Sequence, residues 1–444
     1  MPFDDVFVWQ FITLFLFFSF ACLREILKDR TPVRIRDLKE AISILEDSTL
    51  ESRAIPNQRL VETFGIKNSF TTTNTCCNKS FIAKANRLLQ TSEPEWERLA
   101  KGALWIVSQS RSPRMGDPTS LPLVDIVQAL VFRIVLLKFF PDLRNPTESE
   151  ITMITKSINT RWTGSKSPSS QSRPAQVQAK AVLDYGLRRV FQLDLDPSVP
   201  IDPRSNPLNI LLLTYDALWP VVLSGFLELR FHSQHRDAPK WRKQLERFLS
   251  SPSRSTFEAP EDGMSIEMIV AEMLRLYPPM KRINRVHNHQ TVGIDVEFLH
   301  RDPEIWGTDA EVFEPARWTE DGWTKDREMA YMPFGKGKFV CPSRAVVGPM
   351  LIGILVAALL RRFDEKFQVT GPGSSKVVFG TEPLKTIPTM NSGAGAAIPE
   401  FQTQAFGGQN DRGIQGNEYW ASYPLNFTNP NLICAVDTER ICNR

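Results

Sequence analysis

The stretch Phe334-Gly335-Lys336-Gly337-Lys338-Phe339-Val340-Cys341-Pro342 decides how the rest of this chain reads. A phenylalanine, two glycines and a cysteine at this spacing predict a tight loop with few Cβ atoms, which holds one sulfur still. Backbone N–H groups in such a loop can point at a thiolate while a flat cofactor lies against it. Taken alone, the run also fits an ordinary buried thiol behaving as a small hydrophobe. Two motifs upstream decide between these readings.

The first lies on a helix expected from about Met264 to Tyr277 and stopped by Pro278-Pro279. Glu272 and Arg275 are three residues apart and share one face of it. As an isolated pair they read as solvated surface charge, worth little. The second is Phe313-Glu314-Pro315-Ala316-Arg317-Trp318, whose Arg317 can join Glu272 and Arg275 in one buried ion network. Such a network fixes geometry around the cysteine loop more than it adds stability. A thiolate fixed in this way is a good axial ligand for haem iron, and it pushes electron density toward O–O cleavage.

In this order and at these separations, the Glu-x-x-Arg pair, the Phe-x-Pro-x-Arg-Trp run and the Phe-x-x-Gly-x-x-x-Cys loop resemble the cytochrome P450 superfamily. The phrase His300-Arg301-Asp302-Pro303-Glu304-Ile305-Trp306 resembles its fungal microsomal members. The strong resemblance covers about residues 264–362 and is weaker from about 90 to 263. It implies a mainly α fold with a small β sheet, here shortened. It also implies haem b bound through Phe334, Gly337, Lys338, Cys341, Glu272, Arg275 and Arg317, with Cys341 as the iron ligand. Dioxygen would be the co-substrate, and electrons would come from NADPH through a separate flavoprotein reductase. Lys336, Lys338 and Arg344 would form a basic face suited to docking it. The implied reaction is hydroxylation of a lipophilic small molecule, and fungal relatives point to secondary-metabolite biosynthesis.

The segment Asn206–His232 matches the family's long distal helix, with Asn206-Pro207 as its start. There the family places a small residue, an acid and an alcohol, the last two relaying protons to dioxygen. Here Thr214 takes the place of the small residue, Asp216 matches the acid and Ala217 stands where the alcohol would be. The resemblance therefore gives Asp216 the catalytic role, with Thr214 or a water replacing the missing hydroxyl. Pro220 leaves the Asp216 carbonyl without its helical N–H donor and favours a local kink or bound water. Ala217 also keeps open peroxide-driven or rearrangement chemistry, and the altered C-terminus keeps open a degenerate, non-catalytic membrane protein.

Three further departures concern the cofactor. Phe339 stands two residues before the cysteine, where the family often has a basic residue for a haem propionate, and Lys338 is the adjacent substitute. Ser343 stands where a glycine is usual. The family's Trp-x-x-x-Arg pattern is unmet at Trp96, although Arg98 and Lys101 lie nearby.

The remainder of the sequence is consistent with these expectations. The chain has 444 residues, 42% of them hydrophobic, which is enough for a sizeable core. A net charge of +3 is small for this length and disfavours nucleic acid as a partner. No zinc-finger spacing, phosphate-binding glycine loop or dinucleotide fingerprint is present, so as an oxidoreductase the chain would take its electrons from another protein. The six cysteines (22, 76, 77, 341, 434 and 442) form no secreted-type framework. Val6 to Leu23 carries no charge and approaches the roughly 20 residues that span a bilayer. Arg24, Lys28, Arg30, Arg34 and Arg36 follow it, so the positive-inside rule places the body in the cytosol. The expected organisation is a luminal start (1–5), an endoplasmic-reticulum anchor (6–23), a haem-thiolate domain (24–379) and a loosely ordered, Gly-rich tail (380–444). Leu121–Phe140 reads as a buried helix, and His289–Glu297 as an abbreviated sheet segment.

Overall fold

The computed structural model describes residues 32–109, 120–166, 173–232, 235–363, 367–369 and 376–379. The expected anchor and the whole of the expected tail lie outside the described residues.

Ten helices of ten or more residues dominate the described chain. They are α1 (Leu38–Asp47), α2 (Thr75–Leu89), α3 (Glu93–Gln109), α4 (Leu123–Phe139), α5 (Glu148–Lys166), α6 (Arg173–Phe191), α7 (Leu208–Leu227), α8 (Ala238–Ser250), α9 (Ile266–Leu276) and α10 (Val347–Arg362). Six short strands form two three-stranded sheets. In the first, β1 (Val33–Ile35) lies parallel to β4 (Gln290–Asp295), which runs antiparallel to β3 (Arg282–His287). In the second, β2 (Ser120–Pro122) and β5 (Phe367–Val369) flank β6 (Lys376–Phe379) in antiparallel register.

The core is built around α10. Every residue from Val347 to Leu360 is buried, so this helix is apolar all round and must be covered on every side. It packs against α3, α7, α8 and α9. Gly348 makes room for the site: a Cβ there would lie 2.9 Å from Phe334 Cε1, so the helix accepts the first ring of the cysteine loop only through glycine.

Helix α4 is buried as expected. Helix α7 begins where the sequence indicates, for Asn206 Oδ1 accepts the Leu208 N–H at 2.9 Å while its amide donates to the Phe64 carbonyl at 3.0 Å. Leu208–Phe231 is, among the described residues, the one stretch long and apolar enough to cross a membrane. Its contacts with α4, α9 and α10 make it a core helix. The helix runs unbroken through Pro220 to Leu227, followed by a π-helical turn at Glu228–His232.

The abbreviated sheet segment has a simple cause. His287 pairs with Gln290, so only Asn288 and His289 form the turn between β3 and β4. Both sit at positive φ, 48° and 62°, the geometry of a tight two-residue hairpin.

Candidate active site

Glu272 and Arg275 are wholly buried and form with Arg317 an ion network, not a solvated pair. Arg275 Nε and Nη2 donate to the two Glu272 carboxylate oxygens at 2.8 and 2.7 Å, a bidentate pair along one helical face. Arg317 Nε donates to Glu272 Oε1 at 3.1 Å and the Trp318 indole to Oε2 at 3.0 Å. The remaining guanidinium donors reach carbonyls of the segment leading to the loop, among them those of His300 (2.7 Å) and Trp306 (3.1 Å), and Arg317 Nη2 also donates to the Asp309 carboxylate at 3.0 Å. These three residues therefore bind protein and shape the approach to the loop. They are enclosed, so the expectation that they contact a cofactor is corrected to one of support.

His300 joins this frame to the loop. Its Nδ1–H donates to the Arg275 carbonyl at 2.9 Å and its Nε2 accepts the Met332 N–H at 3.0 Å. Both bonds require the neutral ring, and burial pushes its pKa down to about 3.

The loop closes on itself. The Cys341 N–H donates to the Phe334 carbonyl at 2.9 Å, and Gly335 and Gly337 take φ of 74° and 70°. At Gly337 a Cβ would lie 2.6 Å from the Leu45 carbonyl oxygen, so helix α1 rests directly on the loop. Pro342–Arg344 forms a single turn packed against α2 and α10. Cys341 is a free, half-buried thiol.

Two residues that local sequence patterns did not single out stand beside Phe339. The Arg53 guanidinium lies over its ring at 3.9 Å from the centroid, and Arg285 at 5.9 Å. Both arginines are buried and neither makes an ion pair among the described residues. Arg53 Nη2 donates to Asn78 Oδ1 at 3.0 Å, and its Nε is buried with no partner. Arg285 Nε donates to Ser48 Oγ at 3.1 Å. Burial, with the neighbouring Arg285 charge, pulls Arg53 down to about 10, and burial alone does the same to Arg285. Two adjacent cations kept from water with no carboxylate make a site for an anion.

Other expectations are redirected. Lys338 is exposed, and the buried positions beside Phe339 belong to the two arginines. Lys336 is half-buried and donates to the Glu328 and Met329 carbonyls at 2.6 and 3.1 Å, so of the expected basic face only Lys338 and Arg344 are exposed. Trp96 is buried in the core, Arg98 donates to the Leu137 carbonyl at 3.2 Å, and Lys101 pairs with Glu97 on the surface.

On α7 a part-exposed stripe runs through Leu213, Thr214, Asp216, Ala217, Trp219 and Pro220, while Tyr215 and Leu218 are buried. Such a stripe on an otherwise buried helix marks accessible space beside it. The Thr214 hydroxyl donates to the Ile210 carbonyl at 2.9 Å.

Residues 264–386 match the family model for cytochrome P450. This segment is that of a cytochrome P450. Similar P450 proteins include cytochrome P450 71A20 of Arabidopsis thaliana, 26% identical over 39% of this chain and 41% of that protein. Cytochrome P450 52A12 of Debaryomyces hansenii is 28% identical over 31% of each, and thromboxane-A synthase of Mus musculus 27% identical over 27% of this chain and 25% of that one. The chain thus spans less than half the length of the curated relatives it matches. The fold matches a six-coordinated cytochrome P450 from Thermus thermophilus with a TM-score of 0.54 at 17% identity, over 74% of this chain and 84% of that one. Glu272, Arg275, Arg317 and Cys341 match the P450 pattern, and Phe339, Ser343 and Ala217 are this chain's own departures.

Proposed function

We propose that this chain is a haem-thiolate monooxygenase that hydroxylates a lipophilic small molecule, with haem b bound through Cys341. The observation that carries the reading is the pair of buried, carboxylate-free guanidiniums of Arg53 and Arg285 beside the cysteine loop. A flat cofactor bearing two carboxylates and a metal satisfies both cations and the thiol together. Haem iron held by a thiolate supplies O–O cleavage and oxygen insertion.

The chain's own residues do the rest. Arg53 and Arg285 would hold the cofactor's carboxylates. The loop and Gly348 fix Phe334 and the sulfur. Asp216 handles protons on the accessible stripe of α7. Thr214 already donates its proton to its own helix, so it offers a lone pair that can hold a water. The apolar side chains around Asp216 suit a lipophilic substrate and exclude bulk water. Electrons would come from NADPH through a flavoprotein reductase, and residues 6–23 would anchor the protein in the endoplasmic reticulum. A role in secondary metabolism fits the fungal character of the His300–Trp306 phrase.

Reduced full-length protein in membranes should give a thiolate-type Soret band with carbon monoxide, and Cys341→Ala should lose it. No band from well-expressed protein would sink the enzyme reading. Ala217, which cannot donate a hydrogen bond, favours a second reading in which peroxide drives the oxidation. Turnover with peroxide and without reductase would support it.

A further inference from the structure

We infer that the Ser343 hydroxyl is a positioning residue that hydrogen-bonds the Cys341 sulfur and tunes how strongly it donates to a bound iron; this rests on the haem-thiolate reading above. Ser343 Oγ lies 3.1 Å from Cys341 Sγ, and this is the one hydrogen bond of that hydroxyl among the described residues. As a free thiol, either atom can donate. Metal coordination removes the thiol proton, so the serine must then be the donor. The next residue in the chain, Pro342, has no N–H to offer the sulfur. The serine side chain therefore supplies a donor that the adjacent backbone lacks.

The surroundings hold the hydroxyl in place. Ser343 is the middle residue of the short turn that follows Cys341, closed by the Arg344 N–H on the Cys341 carbonyl at 3.3 Å. That turn packs between α2 and α10, and a Cβ at Gly348 would lie 3.1 Å from the Ser343 carbonyl oxygen, so the segment has little room to shift. A donor on a ligating sulfur withdraws electron density from it, and hydrogen bonds to sulfur ligands are one of the ways proteins set a metal's potential. The serine thus moderates the thiolate and stabilises the reduced iron.

The test compares haem-loaded, full-length wild type with Ser343→Gly, Ser343→Ala and Ser343→Thr. Reduction potentials and the iron–sulfur stretch are measured by spectroelectrochemistry and resonance Raman. The glycine and alanine variants should shift to a more negative potential and a higher stretching frequency, and threonine should restore both. A merely structural serine would change stability and leave both readouts in place, and unchanged values in the glycine and alanine variants overturn the inference. If wild type takes up no haem, the haem-thiolate reading fails and the inference fails with it. If wild type loads normally and only the shifts are missing, the role of Ser343 alone is lost.

Discussion

Asp216 and Thr214 show how one turn of helix divides two tasks. Both lie on the accessible stripe of α7, but the threonine proton is spent on the Ile210 carbonyl. Asp216→Asn should therefore lower coupled product formation by about 10²–10⁴, the usual worth of a positioned proton donor. Thr214→Val should cost far less. Product formation against oxygen consumed is the measurement, and an equal loss in both variants would reassign the relay to the threonine. At this scale the sequence was legible wherever chemistry follows local spacing, as in Glu272, Arg275 and Cys341. It was illegible at Arg53. Nothing around Leu50–Ala54 distinguishes that arginine from a surface residue, and its role comes from stacking on Phe339 far along the chain. The basic residue missing before Cys341 could prompt a search for a replacement, but only packing identifies it.

The cysteine loop is an element whose glycines differ in what they tolerate. Gly335 and Gly337 both sit at positive φ, which costs a side chain roughly 1–2 kcal/mol. At Gly335 the nearest atom to an added Cβ is 3.8 Å away, whereas at Gly337 the Leu45 carbonyl oxygen is at 2.6 Å. Gly337→Ala should therefore destabilise the protein by more than Gly335→Ala and displace α1, measurable as a larger fall in Tm together with poorer haem retention. Helix α4 was readable from its apolar run and α7 from its Asn206-Pro207 start, and both are largely buried. The β3–β4 turn was readable only as a shortening. Its two-residue form requires left-handed backbone at Asn288 and His289, and the glycine that usually marks such a turn is missing.

Across the whole molecule, buried polar groups tie distant segments together, and their protonation reaches into stability. His300 stays neutral in the fold down to about pH 3, whereas in the unfolded chain it takes up a proton near 6.5. Between those values the unfolded state binds more protons, so stability falls as pH falls, by about 1.4 kcal/mol per unit for this one group. His300→Gln should flatten the slope by that amount between pH 6 and pH 4 in urea titrations; an identical slope would show the ring to be charged in the fold. Arg53→Gln and Arg285→Gln should each lower haem retention, with the double variant retaining least. Wild-type retention in the double variant would mean that the two carboxylates bind elsewhere. The Ser48–Arg285 bond closes a separation of 237 positions, and Arg53 lies over Phe339 at the opposite end of the described chain. This arrangement sets a timetable. A ribosome has made one cation long before the other and completes the sulfur-bearing loop last of all. The cofactor can be locked in only after nearly all of the described chain has emerged, so loading belongs to the finished polypeptide. On the haem-thiolate reading, the protein until then would carry two buried positive charges awaiting their counter-ions.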